Sequence, residues 1–427
     1  MKKTKRRILL LNAVSLFVFS VTVILWKANV FSFLESKLYD SRLNATSRFT
    51  VPDDDICFIG IDQESINKAL SENGWTWPWP REAYGKIIEF LTAGGVNSIA
   101  MDVLFSEPSV YGKNDDEKFA DACRKSGRVI LTHLYSDGNE IVPIEEIKSS
   151  CAILGNINGS ADKDGIIRNT NLSFKTKNEI IPSLGISPLL LNEFRGESGV
   201  EKLSLDLESG RNELLHFKGD INRYPHYSSW EIIQSYKALS AGEKPEIEPE
   251  NFKNSYVFFL FYAPGLYDIC ATPVSKTYPG GGVHITLLDN YLNDDFIRKN
   301  PPEVTVSCIW VFAVLAGVFV FYIGRKSREK NYITLLCAVL FLCLYIALSY
   351  VLFVENIFLE IVPPLVSFGV SYLLSVLVDY SLEGKERRFM QTAFSQYLSP
   401  KVIERLIESP EKLKLGGEKK HISIMFS

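Results

Sequence analysis

Two acidic residues follow directly on short apolar runs that are typical of buried β-strands. Asp62 follows the run 56–61, and Asp102 follows the run 98–101. The carboxyl ends of parallel strands meet at one edge of a sheet, and ligands bind at that edge in α/β proteins, so we expect both carboxylates to line a ligand site. A later apolar run precedes three further polar residues that we expect at the same edge: Asp268, Thr272 and His284.

Other roles are open to these carboxylates. An aspartate at the start of a helix accepts hydrogen bonds from free backbone N–H groups, and this capping role is the interpretation that we favour for Asp62 and Asp102. Paired carboxylates also perform acid–base chemistry in glycosidases, but only at a fixed separation, which nothing in this sequence indicates. Ligand sensing is therefore the functional hypothesis for this edge, with capping as its structural alternative.

Three further motifs are less specific. The segment 162–165, Asp-Lys-Asp-Gly, has part of an acidic calcium-loop pattern without its remaining ligands, and a turn is the favoured interpretation. Glycines 280–282 lack the Lys-Ser/Thr pair of a phosphate loop. Trp75, Trp77 and Trp79 could stack a ligand, but packing at a helix start is the favoured role. The five histidines have no metal-binding spacing, so we expect no metal and no cofactor in this chain.

The residues between the first two apolar runs predict the element that positions Asp62 and Asp102. Apolar side chains recur at helical spacing over 81–93, which indicates a helix between two strands. Such a unit has parallel strands that are buried on both faces. Further expected elements are helices over 118–125 and 283–292 and strands over 129–132 and 256–261. The sequence therefore predicts an α/β domain over 27–303, least clearly defined from 191 to 219.

The composition of the 427-residue chain excludes several classes of protein. The formal net charge is −4, without the basic excess that phosphate binding needs, so we expect no nucleic-acid partner. The seven cysteines include no C-x-x-C pair, which argues against a zinc or thioredoxin-like site. Disulfides and free thiols are both open for the four cysteines outside the long apolar runs: Cys57, Cys123, Cys151 and Cys270.

Four apolar runs are long enough to cross a bilayer as helices. They cover residues 8–26, 304–323, 333–354 and 357–378. None contains a lysine, arginine or histidine, whereas a transporter or channel usually needs ionisable groups at depth. We therefore expect anchoring and signal-transmitting transmembrane helices, with a kink in the last one at Pro363–Pro364.

Basic residues at the ends of these runs predict the orientation of the chain. Lysines and arginines are concentrated in 2–7, 325–330 and 385–388, and such residues stay on the cytoplasmic side. Residues 1–7 and the C-terminus are thus expected in the cytoplasm, and residues 27–303 on the extracytoplasmic side of a cell membrane. A cleaved signal peptide is the alternative for 8–26, but no small-residue cleavage site follows the run.

Several short motifs occur together between about 35 and 300. They include Tyr39-Asp-Ser-Arg42, Phe58-Ile-Gly-Ile-Asp62, Trp77-Pro-Trp-Pro-Arg81, Met101-Asp102-Val-Leu-Phe105, Asp164-Gly-Ile-Ile-Arg168 and Gly282-Val-His284. In combination they resemble the extracellular sensory domain called CHASE, second type, which is commonly followed by three membrane helices. The resemblance implies that an unidentified extracytoplasmic ligand or cue acts on this domain.

The C-terminal residues carry a second set of motifs: Arg388-Phe389, Phe394-Ser-Gln-Tyr397-Leu-Ser-Pro400, Gly416-Gly-Glu-Lys419 and Ile422–Ser427. These resemble the entrance to a class III adenylate or guanylate cyclase domain, where an aspartate that binds a catalytic metal follows at once. The sequence stops at Ser427, so no catalytic residue is assigned, and Mg²⁺ or Mn²⁺ is expected only for the missing catalytic domain. Residues 379–415 are expected to form a cytoplasmic helical transducer linker and 416–427 the first cyclase strand.

The resemblance also implies partners. Class III cyclases form their active site between two catalytic domains, so a homodimer is expected through the linker, where Phe389, Ala393 and Tyr397 form an apolar stripe. That stripe could instead lie on the membrane surface. The predicted function is a membrane signal receptor that regulates a class III cyclase. The alternatives are an inert sensor or decoy subunit that heterodimerises with an intact cyclase, and an exported hydrolase using Asp62 and Asp102.

Overall fold

The computed structural model describes residues 2–394 and Met425, with gaps at 137, 177–178, 192–196, 264–265, 267–268 and 324–330. Contacts divide the chain into two units. The α/β unit comprises Phe33–Asn300 with Ser349–Leu359. The helical unit comprises Met1–Ser32, Pro301–Leu348 and Glu360–Ser427. Of the four cysteines for which a disulfide was open, Cys57, Cys123 and Cys151 are free thiols.

The α/β unit contains a seven-stranded sheet. Its strands are β1 (Ile56–Ile61), β2 (Ser98–Met101), β3 (Val129–Ser136), β4 (Asn139–Ile141), β5 (Ile153–Asn156), β10 (His226–Ser228) and β11 (Tyr256–Phe261). The order is β10-β1-β11-β2-β3, and both β4 and β5 pair with the far side of β3. Every pairing except β3–β4 is parallel.

Short strands complete this unit: β6 (Asn169–Asn171) with β9 (Asn212–Leu214), β7 (Ser173–Lys175) with β8 (Ile180–Pro182), β12 (Ile269–Cys270) with β13 (Tyr278–Pro279), and β14 (Arg298–Lys299) with β15 (Ile357–Phe358). Its helices are α2 (Ser32–Ser47), α3 (Gln63–Asn73), α4 (Arg81–Gly94), α5 (Lys113–Ser126), α6 (Glu145–Lys148), α7 (Glu197–Ser209), α8 (Ser229–Ser240) and α9 (Gly280–Asn293). The predicted α/β class and the predicted strand–helix–strand unit are confirmed.

Helices cover both faces of the main sheet, as a continuous apolar strand requires. Successive side chains of β1 point to opposite faces. Ile59 lies in one core with Ile87 and Leu91 of α4, and Phe58 lies in the other with Ile285 of α9. The carboxyl ends of the parallel strands therefore form one edge, with the starts of α3 and α9 and the loop after β2 beside it.

The helical unit is built from α1 (Lys2–Lys27), α10 (Pro302–Val318), α12 (Val362–Phe394) and the part of α11 (Asn331–Val354) that ends at Leu348. Four candidate membrane spans are long and apolar enough to cross a bilayer: Lys5–Lys27, Pro302–Phe321, Leu335–Val354 and Val362–Leu382. Side-chain hydroxyls join the helices, because Ser15 and Ser371 both donate to the carbonyl of Ala313, at 2.9 and 2.8 Å. Such interhelical hydrogen bonds and small residues suit helices packed in lipid.

The segment before the last candidate span differs from the expectation of a helix from 357. Ile357–Phe358 form β15, and α12 begins only at Val362. Pro363 and Pro364 thus occupy the first turn, where a missing N–H costs no intrahelical hydrogen bond. The two prolines start the helix instead of kinking it.

Candidate functional site

Asp62 lies at the carboxyl end of β1, as predicted, and caps α3. Its Oδ1 accepts a hydrogen bond from the backbone N–H of Ser65 at 2.6 Å, and its backbone is extended as an N-cap requires. The capping interpretation of Asp62 is therefore confirmed, and this carboxylate has a local structural partner.

Asp102 lies at the carboxyl end of β2, and its backbone N–H donates to the carbonyl of Phe259 at 2.8 Å. Its carboxylate is beside the start of α9, because a Cβ atom at Gly281 would lie only 3.0 Å from Asp102 Oδ2. A helix N-terminus favours a nearby negative charge. The glycines 280–282 therefore allow a close approach of α9 to β2 and its carboxylate, and not a phosphate.

The remaining predicted site residues are divided between different places. Thr272 is buried in a local turn, where its N–H and hydroxyl both donate to the carbonyl of Ser275. His284 is buried within α9, with Nδ1 3.4 Å from Ser183 Oγ, and burial lowers its pKa to about 4. Asp268 lies outside the described residues.

A cavity of about 210 Å³ opens at the same sheet edge, beside β2 and β11. We call it the aromatic groove, and its aromatic lining consists of Trp77, Trp79, Tyr84, Phe105 and Phe261. The ring of Trp77 meets that of Phe261 edge-on at 5.4 Å and is 39% exposed. Trp79, by contrast, is almost fully buried. The favoured role, packing at the helix start, is confirmed for Trp79, and ligand stacking stays a prediction for the accessible Trp77.

Arg81, the first residue of α4, anchors the wall of the aromatic groove. Its guanidinium forms an ion pair with Asp116 and donates to the carbonyl of Glu107. Asp115 accepts hydrogen bonds from the backbone N–H groups of Arg81 and Glu82, at 2.7 and 2.8 Å. Because Asp115 and Asp116 belong to α5, these contacts fix the loop after β2 against α4 and α5.

The acidic segment 162–165 forms the predicted turn, with Gly165 at φ +80°. Its carboxylates face Arg168, which donates to Asp162 at 2.6 Å and to Asp164 at 2.8 Å. The same guanidinium forms a bidentate pair with Asp40 of α2, at 2.7 and 2.8 Å. The hydrogen bonds from Arg168 hold the pKa of Asp164 well below its usual range. A buried arginine, not a calcium loop, organises this segment.

Sequence reasoning missed one further buried ionic cluster. Lys218 is 4% exposed and forms ion pairs with Asp295 and Asp289. Tyr224 donates to Asp289 at 2.7 Å, and burial lowers the pKa of Lys218. The cluster has a structural role, because it attaches the end of α9 to the chain after β9.

Sequence reasoning also missed most of the groove lining. Phe105 and Glu107 lie in the same motif as Asp102, and Phe261 is the last residue of a predicted strand. The signal that could have found them is their shared position, since Phe105 and Glu107 follow the end of β2 and Phe261 is the end of the neighbouring β11.

Comparison with known proteins gives one result. The family model for the CHASE2 domain, an extracellular sensor domain, matches residues 15–323. No curated protein and no solved structure matches the chain.

Proposed function

The chain belongs to the CHASE2 domain family, and we propose that it is a membrane signal receptor whose extracytoplasmic α/β unit regulates a cytoplasmic class III adenylate or guanylate cyclase. The N- and C-termini are cytoplasmic in this proposal, and the chain acts as a homodimer. A ligand or cue acts on the carboxyl edge of the sheet, where Asp62 and Asp102 lie.

One observation carries the receptor function: the connection between the last two candidate spans belongs to the α/β unit. Residues Ser349–Leu359 join Phe33–Asn300 in that unit, although Ser349–Val354 are the end of α11 and 355–359 begin the connection to α12. Within them β15 pairs with β14, the segment immediately before α10. Arg298 N–H donates to Asn356 O at 2.7 Å, and Asn300 N–H donates to Phe358 O at 3.2 Å.

Arg42 of α2 fixes the same connection from the other side. Its guanidinium is fully buried and donates to the carbonyl of Leu359 at 2.8 Å and to Glu35 at 3.1 Å. It also lies over the rings of Phe353 and Phe358, at 5.3 and 4.7 Å from their centroids. We call Arg42, β14 and Ser349–Leu359 the clasp.

The clasp involves every covalent connection between the α/β unit and the candidate spans. The helix α2 follows α1, β14 precedes α10, and Ser349–Leu359 contains the end of α11 and most of the connection to α12. A change in the α/β unit at these residues is therefore passed to all four helices. A ligand can bias this change only by its differential affinity for two states of the unit.

The cyclase output rests on resemblance. The helix α12 continues past its candidate span, from Leu382 to Phe394, toward the motifs at 394–427 that resemble a cyclase entrance. Mg²⁺ or Mn²⁺ and a nucleoside triphosphate would be used by a catalytic domain following those motifs, and no residue of the described chain is assigned to catalysis.

The test uses a protein extended by the coding sequence after codon 427, with the clasp cross-linked by an engineered disulfide. Parallel partners Arg298 and Ile357 point to one face, so R298C/I357C should form a disulfide, whereas K299C/I357C should not. Both pairs are placed in a chain whose native cysteines are replaced by alanine. We expect membranes of the extended protein to make cyclic AMP or cyclic GMP, and oxidation to change the rate in the first variant only.

Two results would contradict the proposal. Absence of both products in the extended protein would favour the inert sensor or decoy subunit. A rate that is unchanged by a formed R298C/I357C disulfide would remove the clasp from the signalling path.

A further inference from the structure

The wall of the aromatic groove has an unusual distribution of charge. Among its lining residues the basic side chain is Arg81 and the acidic one is Glu107. Arg81 is buried and paired with Asp116, and Asp115 lies beside it. Glu107 is exposed, and its carboxylate has no ion-pair partner in the part of the chain that the structure describes. The wall and the α5 residues behind it thus hold one cation, Arg81, and three carboxylates, which favours a positively charged ligand in the groove.

The aromatic lining favours the same charge. The faces of Trp, Tyr and Phe rings carry negative potential, and cages of such rings are the usual protein site for alkylated ammonium groups. Trp77 is the accessible ring of the groove, and Leu104 and Val110 are exposed beside it. These apolar side chains suit the methyl groups of such a ligand, and Glu107 suits its charge.

Trp79 adds a separate observation that points to a ligand. Its side chain is 2% exposed, and Nε1 is buried without a hydrogen-bond partner among the described residues. A buried donor without a partner is costly, so such groups usually serve an acceptor that binds. The cavity volume, about 210 Å³, exceeds the roughly 150 Å³ that accommodates benzene in an engineered cavity, so a molecule of modest size fits.

We propose that the aromatic groove binds a small organic cation: an alkylated ammonium group with a hydrogen-bond acceptor a few atoms away. The ammonium group lies against Trp77 and Glu107, and the acceptor takes the hydrogen bond of Trp79 Nε1. This deepens the proposed receptor function by naming the chemical class that the α/β unit senses.

The test uses calorimetric titration of the full chain in lipid nanodiscs with three probes. The first is choline, the second is its uncharged isostere dimethylbutanol, with carbon in place of nitrogen, and the third is benzoate. We expect choline to bind, and the isostere to bind at least about tenfold more weakly because it lacks the charge. Comparable affinity for the isostere, tighter binding of benzoate, or no choline binding would each overturn the proposal.

Two variants assign the binding to this groove. Trp77→Leu keeps an apolar side chain but removes the ring, so choline affinity should fall about tenfold while that of the isostere changes little. Glu107→Gln should weaken the affinity for choline severalfold. Glu243 is an exposed carboxylate far along the chain, so Glu243→Gln should leave the affinity for choline unchanged. Equal affinities in wild type and both groove variants would place the site elsewhere and overturn the inference.

These measurements separate the inference from the receptor function. Heat of binding does not depend on any cyclase. If choline binds without changing cyclic nucleotide production, the receptor function is overturned and the binding site stands. If choline does not bind but the extended protein still makes cyclic nucleotide, the receptor function stands and the binding site is overturned.

Discussion

Removing the charge of Arg42 tests the clasp most directly. Arg42 is 0% exposed and the side chain of Glu35 is 9% exposed, so their pair belongs to the buried class of ion pairs. Breaking such a pair by removing one partner costs about 3–5 kcal/mol, because the other charge loses its compensation. Arg42→Met also removes the hydrogen bond to Leu359 and the contacts with Phe353 and Phe358.

The expected loss is large enough for a thermal assay. At roughly 2 °C per kcal/mol for a unit of this size, Arg42→Met should lower the Tm of the purified chain by about 6–10 °C. Hydrogen exchange should increase first in peptides covering 353–360, since these residues lose their anchor. The matched control is Lys68→Met, which breaks an exposed pair with Glu64 and should leave Tm unchanged within error.

A double variant separates the ion pair from packing. If the cost of Arg42→Met comes mainly from removing the guanidinium beside the buried Glu35 carboxylate, then Arg42→Met with Glu35→Gln should recover most of the lost stability. A single variant that unfolds within 2 °C of the wild type (about 1 kcal/mol), or a double variant at least as unstable as the single, would refute this account of the clasp.

Three further outcomes follow from the contacts described above. Gly94→Ala should destabilise the chain by at least about 2 kcal/mol in thermal unfolding, because its Cβ would lie 2.0 Å from the carbonyl oxygen of Pro249. Gly85→Ala in the same helix is the control: its Cβ would lie 3.5 Å from Ala122 Cβ, an ordinary contact, so this variant should be neutral or slightly stabilising. Burial lowers the pKa values of His284 and His216 from 6.5 to about 4, so the unfolded chain binds more protons than the folded chain below pH 6.5. The stabilising effect should be complete above pH 6.5 and should fall toward pH 4 by up to about 1.4 kcal/mol per pH unit for each histidine. His284→Leu should therefore flatten a plot of Tm against pH. Arg168→Met should cost about 2–4 kcal/mol in the same assay and increase hydrogen exchange in α2, and no change in either would contradict its role as the anchor of that helix.

Local sequence pattern was sufficient for the elements of the main sheet. The runs that form β1 and β11 are apolar, as is β2 after its first residue, Ser98, because a strand buried on both faces has apolar side chains on both sides. The order of the strands was not predictable in the same way. β11 lies between β1 and β2, although it is distant in sequence, because pairing order depends on crossover connections and not on local composition.

The candidate site was predictable at the level of its edge but not of its cavity. Asp62 and Asp102 were expected at strand ends and lie there, because parallel topology alone dictates the position. The aromatic groove needs the loop after β2 to fold back on α4, and that depends on Arg81 meeting two carboxylates of α5. The burial of His284 did have a signal, since Val283, Leu287 and Leu288 surround it on the same helix.

The polar character of α2 shows how this helix is held within the α/β unit by directional contacts. Its buried side chains recur at helical spacing and include the polar Glu35, Arg42 and Thr46 beside Tyr39 and Leu43. Two directional contacts hold it to other segments of the unit: Arg42 donates to the carbonyl of Leu359, and Asp40 pairs with Arg168, while the Arg42–Glu35 pair lies within α2 itself.

Such pairs are sensitive to displacement in a way that apolar packing is not. A bidentate guanidinium–carboxylate contact is made in one geometry and is lost over a shift of about 1 Å, whereas apolar contacts lose energy gradually as area is exposed. An α2 helix held by two buried arginines therefore has few intermediate positions relative to β14, β15 and the 162–168 segment. In the proposed receptor, such discrete positions would preserve a ligand's effect at these residues, because a graded yielding of the contacts would absorb it.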